Sequence, residues 1–305
     1  MRQGLRTLMV ALGATAVLVT AGCGGGGGNP LTAGSTAAGG TVTVGSANFP
    51  ENVLLAEIYA QALEAKGVKV SRKFNIGSRE VIYSQIQSGA LAILPEYNGA
   101  LLSYLKKDST AITMADVNQQ LTAALPSTLK LLDSAPAEDK DAIVVTSQTA
   151  QSRNLKSIAD LVSVAPSLVL GGPPEFKTRQ QGVVGLKSVY GVQFKDFKAL
   201  DVAGPITISA LKQGDVQAAN LFSTDPAVVS NNFVVLEDPK QLFGAQNVTP
   251  LVNASALNDQ IKAALNGVSA KLDTPSLATM VKKVVADKDD ADKVAKAWLT
   301  SAGLG

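Results

Sequence analysis

Histidine is absent from the 305 residues of the chain, and cysteine occurs once, as Cys23. Without histidine, the Ser-His-Asp and Cys-His nucleophile arrangements, imidazole acid-base catalysis and histidine-based zinc sites are excluded. A single cysteine excludes a disulfide within the chain. The sequence also lacks a glycine-rich phosphate loop, a dinucleotide-binding fingerprint and closely spaced carboxylates of the metal-ligand type. These absences favour a binding protein over an enzyme, and they predict neither a cofactor nor a metal site.

The first 22 residues are typical of an export signal. Arg2 and Arg6 precede the apolar run TLMVALGATAVLVT, which is short for a membrane span, and small residues follow it. Cys23 comes directly after VTAG, a pattern similar to the lipobox of bacterial lipoproteins, although Thr20 stands where that box usually has leucine. We therefore predict a signal peptide at 1–22 and acylation of Cys23, which would anchor the protein to the outer face of the cell membrane.

Residues 23–40 are mostly Gly, Ala, Ser and Thr, a composition that predicts a flexible tether. The folded part then covers residues 41–305 and is long enough for two lobes. The chain has 27 basic and 25 acidic residues, and removal of Arg2 and Arg6 leaves 25 of each. A near-neutral body without a basic block argues against nucleic acid as a partner.

Two parts of the chain repeat the same order of predicted elements. The first part begins with a strand, TVTVG, an amphipathic helix that ends at Gly67 and a second strand, VKVSRKF. A helix that ends at Gly89 follows, and then a strand that Pro95 should stop before Tyr97 and an Asn-Gly turn. The second part begins with a strand, SLVLGG, a helix that ends at Gly191 and a second strand, VQFKDFKAL. A helix that ends at Gly214 follows, and then a strand that leads to Phe222. This alternation predicts right-handed crossovers and mostly parallel sheets.

Tyr97 and Phe222 occupy equivalent places in this repeat, each eight residues after a helix-ending glycine. Ligands of parallel α/β sheets bind outside the carboxyl ends of the strands. The two rings are therefore candidates for opposite walls of a cleft between two lobes. The alternative is that each ring only covers the core of its own lobe.

Five blocks of the sequence resemble the osmoprotectant-binding proteins of bacterial ABC importers. They are TVTVGSANFPENVLLAEIYAQALEAKG, NIGSREVIYSQIQSGALAILPEYNGALLSYL, LLDSAPAEDKDAIVV, GPPEFKTRQQGVVGLKSVYGVQF and NLFSTDPAVVSNNFVVLEDPKQLF. The similarity covers nearly everything from Thr41 onward and is closest in character to actinobacterial lipoproteins. It implies an α/β, two-lobed periplasmic-binding-protein fold of type II-like topology with two hinge crossovers. The implied lobes are 41–141 plus 248–305 for lobe 1, and 142–247 for lobe 2.

The resemblance also implies the residues of the site. Such proteins hold a trimethylammonium group among aromatic rings, and Tyr97 and Phe222 match two ring positions. Arg179 matches an arginine that clamps a ligand carboxylate or bridges the lobes on closing. The chain departs from the pattern at Asp141 and Gln246, where relatives often have tyrosine.

The predicted binding site consequently has fewer aromatic rings and more carboxylates than the sites of those relatives. Asp139 and Asp141 could neutralise a cation, or they could belong to a solvated charged turn. Asn48 and Thr224 are further candidates, with helix capping as the alternative. Ala47 stands where some relatives have lysine. These departures argue against a strong preference for glycine betaine and add a choline-like cation, a bulkier polyol or an aromatic solute as alternatives.

The sequence thus predicts a solute receptor that works with an ABC permease and its nucleotide-binding subunit. The expected solute is a quaternary ammonium compound such as glycine betaine, choline or carnitine, and the expected oligomeric state is a monomer. Alternatives are an amino acid, polyamine or phenolic compound as the solute, a sensor without transport, and a tethered cell-wall hydrolase.

Overall fold

The structure is a computed structural model that describes residues 40–305. The predicted signal peptide at 1–22 and the acylation site Cys23 lie outside the described residues, as does the predicted tether up to residue 39. Within the described part, no helix is long and apolar enough to cross a membrane.

Ten strands and twelve α-helices follow one another along the described chain. The strands are β1 Val42–Gly45, β2 Val70–Lys73, β3 Ile93–Tyr97, β4 Leu129–Leu131, β5 Asp141–Thr146, β6 Val169–Gly172, β7 Asp196–Ala199, β8 Ala218–Phe222, β9 Phe233–Val235 and β10 Val248–Asn253. The helices are α1 Pro50–Glu64, α2 Arg79–Gln87, α3 Asn98–Leu105, α4 Met114–Ala124, α5 Ser147–Arg153, α6 Leu161–Val164, α7 Val183–Gly185, α8 Pro205–Gln213, α9 Pro226–Ser230, α10 Asp259–Ser269, α11 Thr274–Val285 and α12 Ala291–Ser301. Short 3-10 turns lie at Ile158–Asp160, Ala165–Ser167 and Pro174–Lys177, and a π-helical turn at Leu186–Tyr190.

The strands form two five-stranded sheets, in the orders β2-β1-β3-β10-β4 and β7-β6-β8-β5-β9. We call the first sheet with its helices the first lobe, and the second sheet with its helices the second lobe. The prediction of mostly parallel sheets was wrong, because four of the eight strand pairings are antiparallel. All four involve β5 or β10, the strands by which the chain enters one sheet from the other. The parallel strands end at the cleft, so a strand that arrives from the cleft runs in the opposite direction.

The repeated glycines end helices as the sequence predicted. Gly67, Gly89, Gly191 and Gly214 have φ angles of 80°, 83°, 76° and 79°. This left-handed conformation closes a helix and costs glycine no steric penalty. The equivalence of the two halves is therefore present in the backbone as well as in the residue pattern.

The chain around Tyr97 differs from the prediction in two details. Pro95 does not stop the strand, because β3 continues through it to Tyr97 and pairs with β10 on one side. On the other side the pairing with β1 is at Ile93, so the missing N–H of Pro95 is not needed there. Asn98 and Gly99 open helix α3 instead of forming a turn. A Cβ at Gly99 would lie 2.0 Å from the carbonyl oxygen of Ala245, so the close approach of two backbones explains this glycine.

Helix α1 is the centre of the first lobe, where α10, α11 and α12 pack against it. Two segments join the lobes: one leads from β4 to β5 and the other from β9 to β10. Backbone bonds tie them together, from Asp139 N to Gln246 O (3.2 Å) and from Val248 N to Ala137 O (3.0 Å). The boundaries predicted for the lobes at 141 and 248 stay a prediction.

Candidate functional site

A cavity with an empty volume of about 680 Å³, part of it open to solvent, lies where the carboxyl ends of β3 and β8 face each other. Seven of the eight residues predicted to bind a ligand line it: Asn48, Tyr97, Asp139, Asp141, Arg179, Phe222 and Gln246. The eighth, Thr224, lines an adjoining cavity that shares Phe49, Asp139 and Phe222 with the first. The structure therefore brings the predicted residues together at one place between the lobes.

Three aromatic rings meet at this cavity. The ring of Phe49 lies 6.1 Å from that of Tyr97 at an angle of 28°, and 5.3 Å from that of Phe222 at 30°. Tyr97 belongs to the first lobe and Phe222 to the second, so Phe49 connects the two predicted rings. The sequence analysis missed Phe49 because its place directly before the Pro50-Glu51 start of α1 resembles an ordinary helix entry.

Glu51 is a buried carboxylate behind the rings, and the sequence analysis missed it too. Its Oε1 accepts a 2.6 Å hydrogen bond from the hydroxyl of Tyr97, and its Oε2 accepts one of 2.6 Å from the hydroxyl of Thr224. Burial raises the pKa of Glu51, and these two hydrogen bonds oppose the rise. Because Thr224 belongs to the second lobe, Glu51 links the lobes through a neutral donor.

Asp139 and Asp141 lie beside the rings and are bound by neutral donors. Asp139 accepts hydrogen bonds from the backbone N–H of Thr224 (3.0 Å) and from the hydroxyl of Ser223 (3.2 Å). Asp141 accepts one from the side-chain amide of Asn220 (2.9 Å). Burial, and then the nearby Glu51 carboxylate, raises the pKa of Asp139 well above its ordinary value. Burial also raises the pKa of Asp141.

Two arginines line the cavity, and each is held by a carboxylate of the first lobe. Arg79 donates to Glu96 from Nε (2.9 Å to Oε1) and Nη2 (2.7 Å to Oε2). Arg179 of the second lobe donates to Glu80 from Nε (3.0 Å) and Nη2 (2.9 Å). Although burial opposes the change, these bonds lower the pKa of Glu80 to about 2. The sequence analysis missed Arg79, which resembles a charged residue at a helix start.

The remaining predicted residues have more structural partners. Gln246 accepts a hydrogen bond from the backbone N–H of Asp141 (3.2 Å) and donates one to Gln181 (3.2 Å). Asn48 is exposed at the cavity wall. Helix α9 is capped by Asp225, whose Oδ1 accepts from Ala227 N at 2.8 Å. Thr224 thus contacts Glu51 and Asp139 rather than capping the helix.

Nothing in the described part of the chain resembles a metal centre, since residues 40–305 contain no group of three or more His, Cys, Asp or Glu side chains suited to one. What the cavity offers is π-faces and buried acidic groups. This chemistry suits an organic cation that lacks hydrogen-bond donors on its charged group.

Two α/β lobes, joined by two segments and enclosing an aromatic and acidic cavity, define a two-lobed periplasmic solute-binding protein. The chain belongs to the family described as the substrate-binding domain of ABC-type glycine betaine transport systems, whose family model matches residues 40–301. It is therefore the substrate-binding protein of an ABC importer.

Similar proteins agree with this assignment. The chain is 30% identical over 276 residues to the glycine betaine-binding protein YehZ of Escherichia coli, which covers 86% of this chain and 90% of that protein. Apo YehZ from the same organism has a similar structure, with a TM-score of 0.59 and 28% identity over 87% of this chain and 99% of that one. A crystal structure of a glycine betaine/carnitine/choline ABC transporter shares the fold, with a TM-score of 0.67 and 20% identity over 86% and 99%. The predicted family and two-lobed fold are confirmed, and the actinobacterial lipoprotein type stays a prediction.

Proposed function

We propose that this protein captures a quaternary ammonium solute, of the class of glycine betaine, choline and carnitine, between its lobes and delivers it to a permease. The observation that carries the proposal is the cluster of Phe49, Tyr97 and Phe222 in a cavity that also contains Asp139 and Asp141. A trimethylammonium group offers no hydrogen-bond donor, so ring faces and negative charge are the groups that hold it. We expect micromolar affinity, about −8 kcal/mol.

Contacts between the lobes give the proposal its mechanism. Thr224 donates to Glu51 and Arg179 pairs with Glu80, in both cases across the cleft. These contacts correspond to closed lobes, and they must break for a solute to enter from solvent. Closure around the solute would then create the surface that the permease recognises.

The pairing of Arg179 with Glu80 favours one of the two roles that the resemblance implied for it. Arg179 donates from Nε and Nη2 to Glu80, and this ion pair holds the second lobe to α2 of the first. We therefore infer that Arg179 bridges the lobes and that the aromatic cluster, rather than this guanidinium, provides the main contact with the solute.

Removal of the Phe222 ring tests the proposed site. We expect Phe222→Ala to weaken binding of the quaternary ammonium solute by roughly 5- to 30-fold, which corresponds to the loss of about 1 to 2 kcal/mol from one cation–π contact. Isothermal titration of the purified protein with choline, carnitine and glycine betaine measures the change.

Phe197→Ala is the matched control for this experiment. Phe197 lies on β7 of the same sheet and packs against the core of the second lobe, and the cavity wall does not include it. Its truncation should lower stability and leave affinity unchanged. Equal losses of affinity in the two variants would contradict a specific role of Phe222. If arginine, spermidine or a phenolic compound binds while choline, carnitine and glycine betaine do not, the solute belongs to one of the alternative classes.

We also infer binding without catalysis, since family members serve as substrate-binding domains. The intended partners are an ABC permease and its nucleotide-binding subunit, and the protein would act as a monomer outside the cytoplasm. Turnover of a cell-wall substrate that is lost in Asp139→Asn or Asp141→Asn would instead support the hydrolase alternative.

Acylation of Cys23 would anchor this receptor to the outer face of the membrane. Expressed as the full chain in a bacterium, Cys23→Ser should move from the detergent phase of a phase-separation assay to the aqueous phase and lose label from radioactive palmitate. Thr20→Leu is the companion variant, because it restores the usual lipobox residue and should keep the label or increase it. Detergent-phase recovery of Cys23→Ser equal to the unmodified chain would refute lipid anchoring.

A further inference from the structure

The guanidiniums that line the cavity already have carboxylate partners. Among the described residues, the basic side chains of the cavity wall are Arg79 and Arg179. Each forms two parallel hydrogen bonds to one carboxylate, that of Glu96 or that of Glu80. Such bidentate pairs occupy the Nε–Nη2 edge of each guanidinium and balance its charge with a carboxylate of the protein, while the Nη1 N–H groups form no hydrogen bond among the described residues.

The other carboxylates at the cavity are not paired in this way, although Arg179 and Arg79 lie close enough to Asp141 to oppose the rise in its pKa. Within residues 40–305, neither Asp139 nor Asp141 forms a salt bridge, and Glu51 directly behind the rings forms none either. They accept hydrogen bonds from hydroxyl, amide and backbone donors, and Glu51 and Asp139 also share a hydrogen bond with each other. Asp139 and Glu51 are only 2% and 4% exposed, so bulk water does little to stabilise their charge.

The geometry points to selection by net charge: we propose that the cleft prefers a quaternary ammonium cation of the choline type, without a carboxylate, to a zwitterion of the glycine betaine type. This inference rests on the proposed function and specifies the solute class of that site. A cation gains the attraction of an acidic wall, in which four carboxyl groups (Glu96, Asp139, Asp141 and Glu175) outnumber two guanidiniums. A zwitterion gains the same attraction, but the acidic groups of the wall repel its own carboxylate, and the guanidiniums that could attract it are already balanced by Glu96 and Glu80.

The test is a titration series with three probes of similar shape. Choline carries a positive charge, glycine betaine adds a carboxylate, and 3,3-dimethylbutan-1-ol replaces the charged nitrogen by carbon. We expect choline to bind at least about tenfold more tightly than glycine betaine. The uncharged alcohol should give no measurable heat of binding at the concentrations that saturate the protein with choline.

The three titrations distinguish a failure of charge selection from a failure of the proposed function. Glycine betaine binding as tightly as choline, or more tightly, would overturn charge selection and leave the proposed function intact. Equal affinity for choline and the uncharged alcohol would also overturn it, because the rings alone would then account for binding. Failure of every quaternary ammonium compound to bind would overturn the proposed function itself.

Isosteric variants identify the carboxylates responsible. Asp141→Asn and Asp139→Asn should lower the affinity for choline more than that for glycine betaine, so the ratio between the two should fall. Asp215→Asn is the charge-matched control, because its side chain is 52% exposed in a surface pair with Lys198. An unchanged ratio in both cavity variants, with folding verified by thermal unfolding, would contradict the proposal.

Discussion

Replacement of Glu96 by glutamine is expected to lower the free energy of unfolding by about 3 to 5 kcal/mol. The Arg79 side chain is 11% exposed and that of Glu96 is 4% exposed, so their ion pair is nearly removed from water. Glutamine keeps the shape of Glu96 but leaves the guanidinium charge without its counter-charge in a poorly solvated place. Urea unfolding of the purified protein without solute measures the difference.

The surface pair of Lys198 and Asp215 provides the control for this prediction. Their side chains are 45% and 52% exposed at a separation of 2.9 Å, and Asp215→Asn should change stability by less than about 1 kcal/mol. If Glu96→Gln costs as little as Asp215→Asn, the charge of Arg79 must be compensated by Glu80 or Asp141, both of which lie near enough to raise its pKa.

Binding of a quaternary ammonium cation is expected to weaken by at least about tenfold as the pH falls from 8 to 5. Burial raises the pKa of Glu51, of Asp139 and of Asp225, the last to about 6. At low pH these carboxyl groups hold protons, and a cation gains little from a neutral carboxyl. Binding must then displace protons, which reduces the apparent affinity.

The stability of the empty protein should change in the opposite direction over the same range. Because the folded-state pKa values lie above those of the unfolded chain, the folded protein binds more protons, and its stability falls as the pH rises through the folded pKa. For Asp225 the shift from 3.8 to about 6 corresponds to about 3 kcal/mol over the whole range from below pH 3 to above pH 7. The low pKa of Glu80 acts in the other direction only below about pH 4.5.

The absence of histidine makes this pH experiment unusually direct. The chain contains no side chain whose ordinary pKa lies between about 5 and 7.5. Titration of choline between pH 5 and 8, in buffers of different ionisation enthalpy, counts the protons released on binding. Asp139→Asn should reduce that count, whereas Asp215→Asn should not. A pH-independent affinity with no proton release would show that these carboxyls stay charged without a bound cation.

Much of the fold follows from local patterns in the sequence. Helix-ending glycines such as Gly67 and Gly191 predict where each helix closes, and strand periodicity places Tyr97 and Phe222 at strand ends. These features depend on residues close in sequence, so they are visible without the tertiary structure. The antiparallel entry of β5 and β10 was missed because it depends on how two separate sheets are joined.

The site was harder to predict, for a physical reason. Glu51 resembles an acidic residue in the first turn of a helix, and Arg79 resembles a charged helix start. Their roles depend on partners far away in sequence: Thr224 for Glu51 and Glu96 for Arg79. Phe49 was missed for the same reason, since only the packing of both lobes brings its ring between Tyr97 and Phe222.

The two segments that join the lobes form a short antiparallel ribbon, in which Glu138 is bridged to Asn247. We expect such a ribbon to bend across its flat face more readily than it shears, so that the lobes rotate about it. Arg179 and Glu80, whose side chains are 26% and 34% exposed, meet across the cleft, and a bend of the ribbon separates them. We therefore expect each solute molecule to be enclosed along the same path, so that a permease docking on the outer surfaces meets the same angle between the lobes each time.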